Sequence, residues 1–166
     1  MSKFIKAALA SSVLAASVMG ANAAHAATAT ADARANILEE LTVTKDAGTD
    51  LDFGTIITTG TAETVVVGND GTRAACTNVV CTGASDAADF SVTGSASEAV
   101  TLTVPASVTL NGPSGAIMNA NLTNTALTAL DGSGNGGFSV GGALDVAANQ
   151  TDGAYLGTFT VTVEYP

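Results

Sequence analysis

The chain has 166 residues, with 15 acidic against five basic side chains, a formal net charge of −10 and only 12% charged residues. That length suits one domain with its own core, and the acidic balance argues against nucleic acid and anionic lipid as partners, because both bind through Lys and Arg. Trp is absent, and Thr, Val, Gly and Ala outweigh the long helix formers, which points to an all-β protein.

The first 26 residues read as an export signal. Lys3 and Lys6 lead an apolar run from Ala7 to about Gly20, and Ala24, His25 and Ala26 place small residues at the key positions of a cleavage site. The run is too short and too rich in Ala and Ser for a membrane span, which needs about 20 strongly apolar residues. Cleavage is expected after Ala26, with Ala23 as the alternative, and no Cys follows the run to carry a lipid anchor. The protein is expected to pass through the periplasm to the cell surface or beyond. The only His, His25, would leave with the leader, so Arg34, Lys45 and Arg73 would remain against all the carboxylates.

Residues 27–37 place an apolar side chain at every odd position, through Ala29, Ala31, Ala33, Ala35 and Ile37, and read as an extended segment ahead of a domain at 39–166. Strands are expected at 41–45, 51–57 and 64–67, the last running into a turn at Gly68–Gly71. Further strands are expected at 89–94, 99–104, 107–110, 117–122 and 138–146, where Phe138, Val140, Gly142, Leu144 and Val146 share one face. Residues 124–131 are the one helical candidate, as a single turn. About nine or ten short strands at such spacing predict an immunoglobulin-like β-sandwich. An outer-membrane barrel would need strands of about 9–11 residues and aromatic girdles, so no membrane insertion is expected.

Two cysteines in an exported chain predict one disulfide, Cys76–Cys81, closing a short loop. Asp131, Ser133 and Asn135 alternate like the start of a calcium loop, but Gly142 stands where a bidentate Glu is required, so a Gly-rich turn is the expected reading. Asp50 and Asp52 flank Leu51 and would share a strand face, either as a carboxylate pair or as solvated charge. With no His after the leader, a Ser–His–Asp or Cys–His arrangement cannot form, and the scattered carboxylates occupy turn-like positions. The chain is read as non-enzymatic, with no cofactor and no metal site.

The last residues carry the strongest pattern. Tyr155, Phe159, Val161, Val163 and Tyr165 alternate with Thr158, Thr160, Thr162 and Glu164, Gly157 filling the one gap. A strand with no successor leaves its edge open, a liability that a strand from another chain can cover. Gly153, fourteenth from the end, and the penultimate Tyr165 make this tail resemble that of chaperone–usher pilus subunits. Residues 35–56, with Leu51-Asp52-Phe53-Gly54-Thr55-Ile56, and the tail at 138–165 are similar to a bacterial exported family known only as domain of unknown function 4402. That family's tail is in turn similar to spore-coat-U-type pilins. The resemblance implies an incomplete immunoglobulin-like fold, held by a periplasmic chaperone and passed by an usher into a fibre of like subunits or related pilins. The expected function is therefore a structural subunit of a surface fibre or coat. Gly153, Tyr155, Phe159, Val161, Val163 and Tyr165 would form the assembly edge, and Ala29, Ala31, Ala33, Ala35 and Ile37 the donor segment. The alternative is a free-standing secreted sandwich that binds carbohydrate or a surface protein through its loops.

Overall fold

A computed structural model describes residues 26–166, so the leader expected at residues 1–26 lies, but for its last residue, outside the described residues. Residues 26–35 are not part of the sandwich unit and carry no strand. Residues 36–166 form an all-β sandwich of ten antiparallel strands. They are β1 (Thr42–Lys45), β2 (Thr55–Ile57), β3 (Glu63–Val67), β4 (Val80–Thr82) and β5 (Ala88–Thr93). They continue with β6 (Thr101–Thr103), β7 (Ser107–Asn111), β8 (Ile117–Asn124), β9 (Asn135–Val146) and β10 (Thr162–Glu164). A 3₁₀ turn at Pro113–Gly115 is the only helical element among the described residues, and no helix there is long and apolar enough to cross a membrane.

The long β9 organises the large sheet, whose order is β1-β5-β9-β8-β7. One edge of β9 pairs with β8, from Asn124↔Val140 to Asn119↔Asp145. Its other edge changes partner midway. Residues 135–140 pair with β5, ending at Ala88↔Val140, and residues 142–146 pair with β3, beginning at Val67↔Gly142. The change falls at Gly141, where a Cβ would stand 2.5 Å from the Val67 carbonyl oxygen and 2.7 Å from the Gly68 carbonyl carbon. Only a residue without a side chain lets the two partners meet end to end there. The Gly141 N–H, left between ladders, donates to Asn69 Oδ1 at 3.0 Å.

The predicted period of two along β9 sets the core. Phe138, Val140, Leu144 and Val146 are buried on one face, and they divide between two apolar clusters. Leu144 and Val146 pack with Phe53, Val65, Val67, Val79 and Ala120. Phe138 and Val140 pack with Ala88, Val92, Val100, Leu130 and Val163. Two short ribbons cover this face: β2–β4 adds Ile56 and Cys81 to the first cluster, and β6–β10 adds Leu102 and Val163 to the second.

The β2–β4 ribbon is held by polar staples as well as by burial. Arg73 donates from Nη1 to the carbonyls of Phe53 (2.9 Å) and Thr82 (3.3 Å), and from Nη2 to that of Gly83 (3.2 Å). The expected disulfide is present, with the Cys76 and Cys81 Cα atoms 6.0 Å apart. Glu63 at the start of β3 clamps the loop that the disulfide closes. Its carboxylate accepts the Thr77, Asn78 and Val79 N–H groups at 2.7–2.8 Å and the Thr77 hydroxyl at 3.1 Å.

Three expectations change. Residues 124–131 form no helix; instead Ala129 bridges Ala99, because Leu127 and Leu130 turn into the second cluster. Asp50 and Asp52 do not pair with each other: Asp50 meets Lys45 at 3.0 Å, and Asp52 accepts the Gly54 N–H at 2.7 Å. The strand expected at 51–57 is confined to Thr55–Ile57, and β4 had no alternation long enough to announce it.

Two outcomes are expected. Gly141→Ala should lower stability by about 1–3 kcal/mol in urea unfolding, since backbone atoms cannot yield to the new methyl. The N–H groups, Thr77 first and then Asn78 and Val79, together with the Thr77 hydroxyl, hold the Glu63 carboxyl below its usual range. A depressed folded pKa adds stability that is present above the unfolded value and is lost as pH falls through the folded one. Thermal unfolding between neutral and acid pH should therefore lose less stability in Glu63→Gln than in the parent, the variant starting lower at neutral pH.

Candidate assembly edge

The tail from Gly153 to Pro166 keeps the inside–outside alternation read from its sequence. Phe159, Val161 and Tyr165 are half-buried and Val163 is buried, whereas Thr158, Thr160, Thr162 and Glu164 are exposed. Its hydrogen-bonded pairing is shorter than expected. The tail follows β7 and β6 in antiparallel sense, first through a bridge between Leu156 and Asn111 and then through β10. Between these points, Gly157–Val161 carries no strand. The facing segment explains the break: Pro105 has no N–H to offer, and the Ala106 carbonyl is turned to the Leu122 N–H instead.

Both ends of the tail are anchored. Gly153 takes φ +134, where a Cβ would lie 2.6 Å from the Pro113 ring, so the residue fourteenth from the end has a steric reason to be glycine. Tyr155 packs its ring over Gly112, accepts from Gln150 Nε2 and donates to the Thr151 carbonyl, both at 2.7 Å. At the far end the Tyr165 hydroxyl accepts the Ser95 N–H at 2.7 Å and donates to the Glu39 carbonyl at 3.0 Å.

Tyr165 thereby ties the tail to the approach of β1, and both elements contribute to one apolar cluster. Leu41 and Val43 of the β1 segment join the same cluster as Phe159, Val161, Val163 and Tyr165. The cluster also takes in Phe90, which pairs with Lys45 at the end of β1, stacks on Phe138 at 4.9 Å and meets Phe159 edge-on at 6.3 Å. β1 pairs only with β5, and β10 only with β6, among the described residues. β1 and β10 thus each keep an unpaired backbone edge, and both send apolar side chains into the same cluster.

The sequence-derived edge residues Phe159, Val161, Val163 and Tyr165 come together here, whereas Gly153 and Tyr155 act at a distance as the near anchor. Gly112, Pro113, Glu39 and Ser95 complete the anchors and were not singled out in the sequence. They lie in turns or loops whose pairing to the tail has no periodic signature. Of the segment at 27–37, Ile37 is 91% exposed. The Asp131 carboxylate accepts the Asn135 and Ser133 N–H groups at 2.8 Å each, which lowers its pKa and makes it the closing acceptor of a turn. No group of three or more His, Cys, Asp or Glu side chains is placed to hold a metal among the described residues.

The fold defines an all-β sandwich domain in which β1 and β10 each pair along one edge only among the described residues. The chain belongs to the family described as domain of unknown function (DUF4402), which matches it over residues 41–165. Neither the curated proteins nor the solved structures contain a match to it.

Removing the Tyr165 hydroxyl leaves the Ser95 N–H and Glu39 carbonyl without their partner. Tyr165→Phe should cost about 1 kcal/mol, and hydrogen exchange of the 159–165 amides should speed up while that of β9 stays slow. Gly153→Ala should release the tail at its other end, read as faster exchange at Tyr155 and Leu156.

Proposed function

We propose that this protein is a non-enzymatic structural subunit of a bacterial surface fibre or coat, assembled by strand exchange between like subunits. The observation that carries the reading is the pair of unpaired edges, β1 and the tail, over one half-buried apolar strip. A strand laid between them would satisfy the open N–H and C=O groups of both edges and remove Phe159, Val161, Leu41 and Val43 from water.

The donor in this reading is the segment 27–38 of the next subunit. Its alternation presents Ala29, Ala31, Ala33, Ala35 and Ile37 to one side. Burial contributes about 0.8 kcal/mol per methyl-sized group, so the alanines add little each, and Ile37 and Leu38 supply the larger side chains. Before assembly, a periplasmic chaperone would cover the same strip, and an usher would hand the subunit to the growing end. The acidic surface keeps unassembled subunits apart.

The test compares residues 39–166 with the same residues followed by a flexible spacer and a copy of residues 27–38, by thermal unfolding and light scattering. The added segment is expected to raise the melting temperature by roughly 10 °C or more, the effect of a few kcal/mol of new pairing, and to replace aggregates by monomers. A bare domain that is already a stable monomer, unchanged by the added segment, would overturn the reading.

A further inference from the structure

A second feature lies away from the β1–tail strip, on the outer face of the large sheet. Four polar residues form one cross-strand row there: Thr109↔Asn119, Asn119↔Asp145 and Asp145↔Thr64 are direct register pairs across β7, β8, β9 and β3. Direct neighbours in such a row have Cβ atoms about 4.5–5.5 Å apart. All four side chains are exposed. The outer two orient the inner two: Thr109 donates its hydroxyl to Asn119 Oδ1, and Thr64 donates its hydroxyl to Asp145 Oδ1, both at 2.9 Å. What remains for a ligand is a donor, Asn119 Nδ2, beside an acceptor, Asp145 Oδ2. Neither has a protein partner among the described residues.

Thr64, Asn119 and Asp145 also line an open cavity of about 600 Å³, within the size range of small-molecule sites. Its walls are fixed by contacts with no part in the tail's pairing to β6. Asn78 is carried by the loop that Glu63 clamps and the disulfide closes, so its side-chain amide is presented from a rigid backbone. Gln150 is held by donating to the Ile117 carbonyl at 3.2 Å and to the Tyr155 hydroxyl. Ile117, two residues before Asn119 on the same face of β8, is 56% exposed and gives the cavity an apolar side.

We propose that this cavity is a binding site for a neutral carbohydrate. Adjacent hydroxyls of a sugar ring both donate and accept, and they match an amide donor beside a carboxylate acceptor. The ring's C–H face matches Ile117. No Lys, Arg or His lines the cavity, and its ionisable groups are the carboxylates Asp145 and Glu63, so phosphorylated, sulfated and uronic-acid ligands are repelled. With no aromatic ring to stack on the sugar, single-site affinity is expected to be millimolar, and repetition of the site on many copies would raise it. A second open cavity, beside Arg73, offers no such set, because Arg73 on its wall already donates to three carbonyls. The inference does not depend on strand exchange, since every group in it belongs to one subunit.

The test is calorimetric titration of the exported, purified protein with lactose, maltose, cellobiose, mannobiose and chitobiose, and with a galacturonic acid oligomer as the acidic comparison. Saturable binding of at least one neutral disaccharide, with none of the acidic oligomer, is expected. Asn119→Ala and Asp145→Ala should each weaken it roughly tenfold or more, the loss of one hydrogen bond to an oriented or charged group. Thr103→Ala on the separate β6–β10 ribbon should leave it unchanged. Both site residues are exposed and each holds only one threonine hydroxyl, so the variants should keep the parent's melting temperature within a few degrees. Absence of binding to every neutral disaccharide, equal binding of the acidic oligomer, or binding unaffected by both site variants would overturn the proposal. None of these outcomes bears on whether the subunits polymerise.

Discussion

The partner change at Gly141 is the constraint on which the rest of the sandwich depends. One twelve-residue strand serves β8 along one edge, and β5 then β3 along the other, so both apolar clusters hang from a single backbone. The two partners can abut only because Gly141 has no Cβ to collide with the Val67 carbonyl. A side chain there would push β3 away from β9 and open the first cluster at Val65 and Val67, both almost completely buried. Local backbone freedom in one residue thus decides whether the core closes.

The two ends of the domain solve opposite problems with the same chemistry. Around β2 and β4, short strands bury little apolar area, and Arg73, Glu63 and the disulfide supply the order that burial does not. Both ionic groups are spent mainly on backbone partners: the guanidinium on carbonyls, the carboxylate on three N–H groups and the Thr77 hydroxyl. Around the tail, anchors at Gly153–Tyr155 and at Tyr165 fix the ends, while the stretch between them has little hydrogen bonding of its own. A segment pinned at its termini and open along its edge can gain a neighbour without unfolding, which is the behaviour strand exchange would need. Rigidity is concentrated where the sheet-face cavity lies, and openness where the strip lies.

Much of the architecture is legible in the sequence. Period-two alternation located β1, β3 and β5 to β9 within a few residues, because each buries one face and the pattern follows directly from that burial. It failed where pairing depends on a distant segment. The tail reads as one strand of eleven residues, yet Pro105 on the facing segment interrupts its ladder, and no feature of the tail itself announces that. Residues 124–131 have helical spacing at Leu127 and Leu130, but Ala129 bridges Ala99 and the run lies extended. Glu63, Gln150 and Asn78 gave no signal at all, since single polar residues in loops and at strand starts gain meaning only from what folds against them.

The sequence by itself determined the fold class, the inward face of β9, the disulfide and the family, because these follow from alternation, residue type and short spacings along one chain. It also marked Gly153 and Tyr165 as special without saying why. Tertiary structure alone supplied the reasons: the Pro113 ring against Gly153, the bonds from Tyr165 to Glu39 and Ser95, and the convergence of β1 and the tail on one strip. The cross-strand row from Thr109 to Thr64 was likewise decided only in three dimensions. Its members come from four strands, and register between strands is set by turns, glycines and packing far from the residues it aligns.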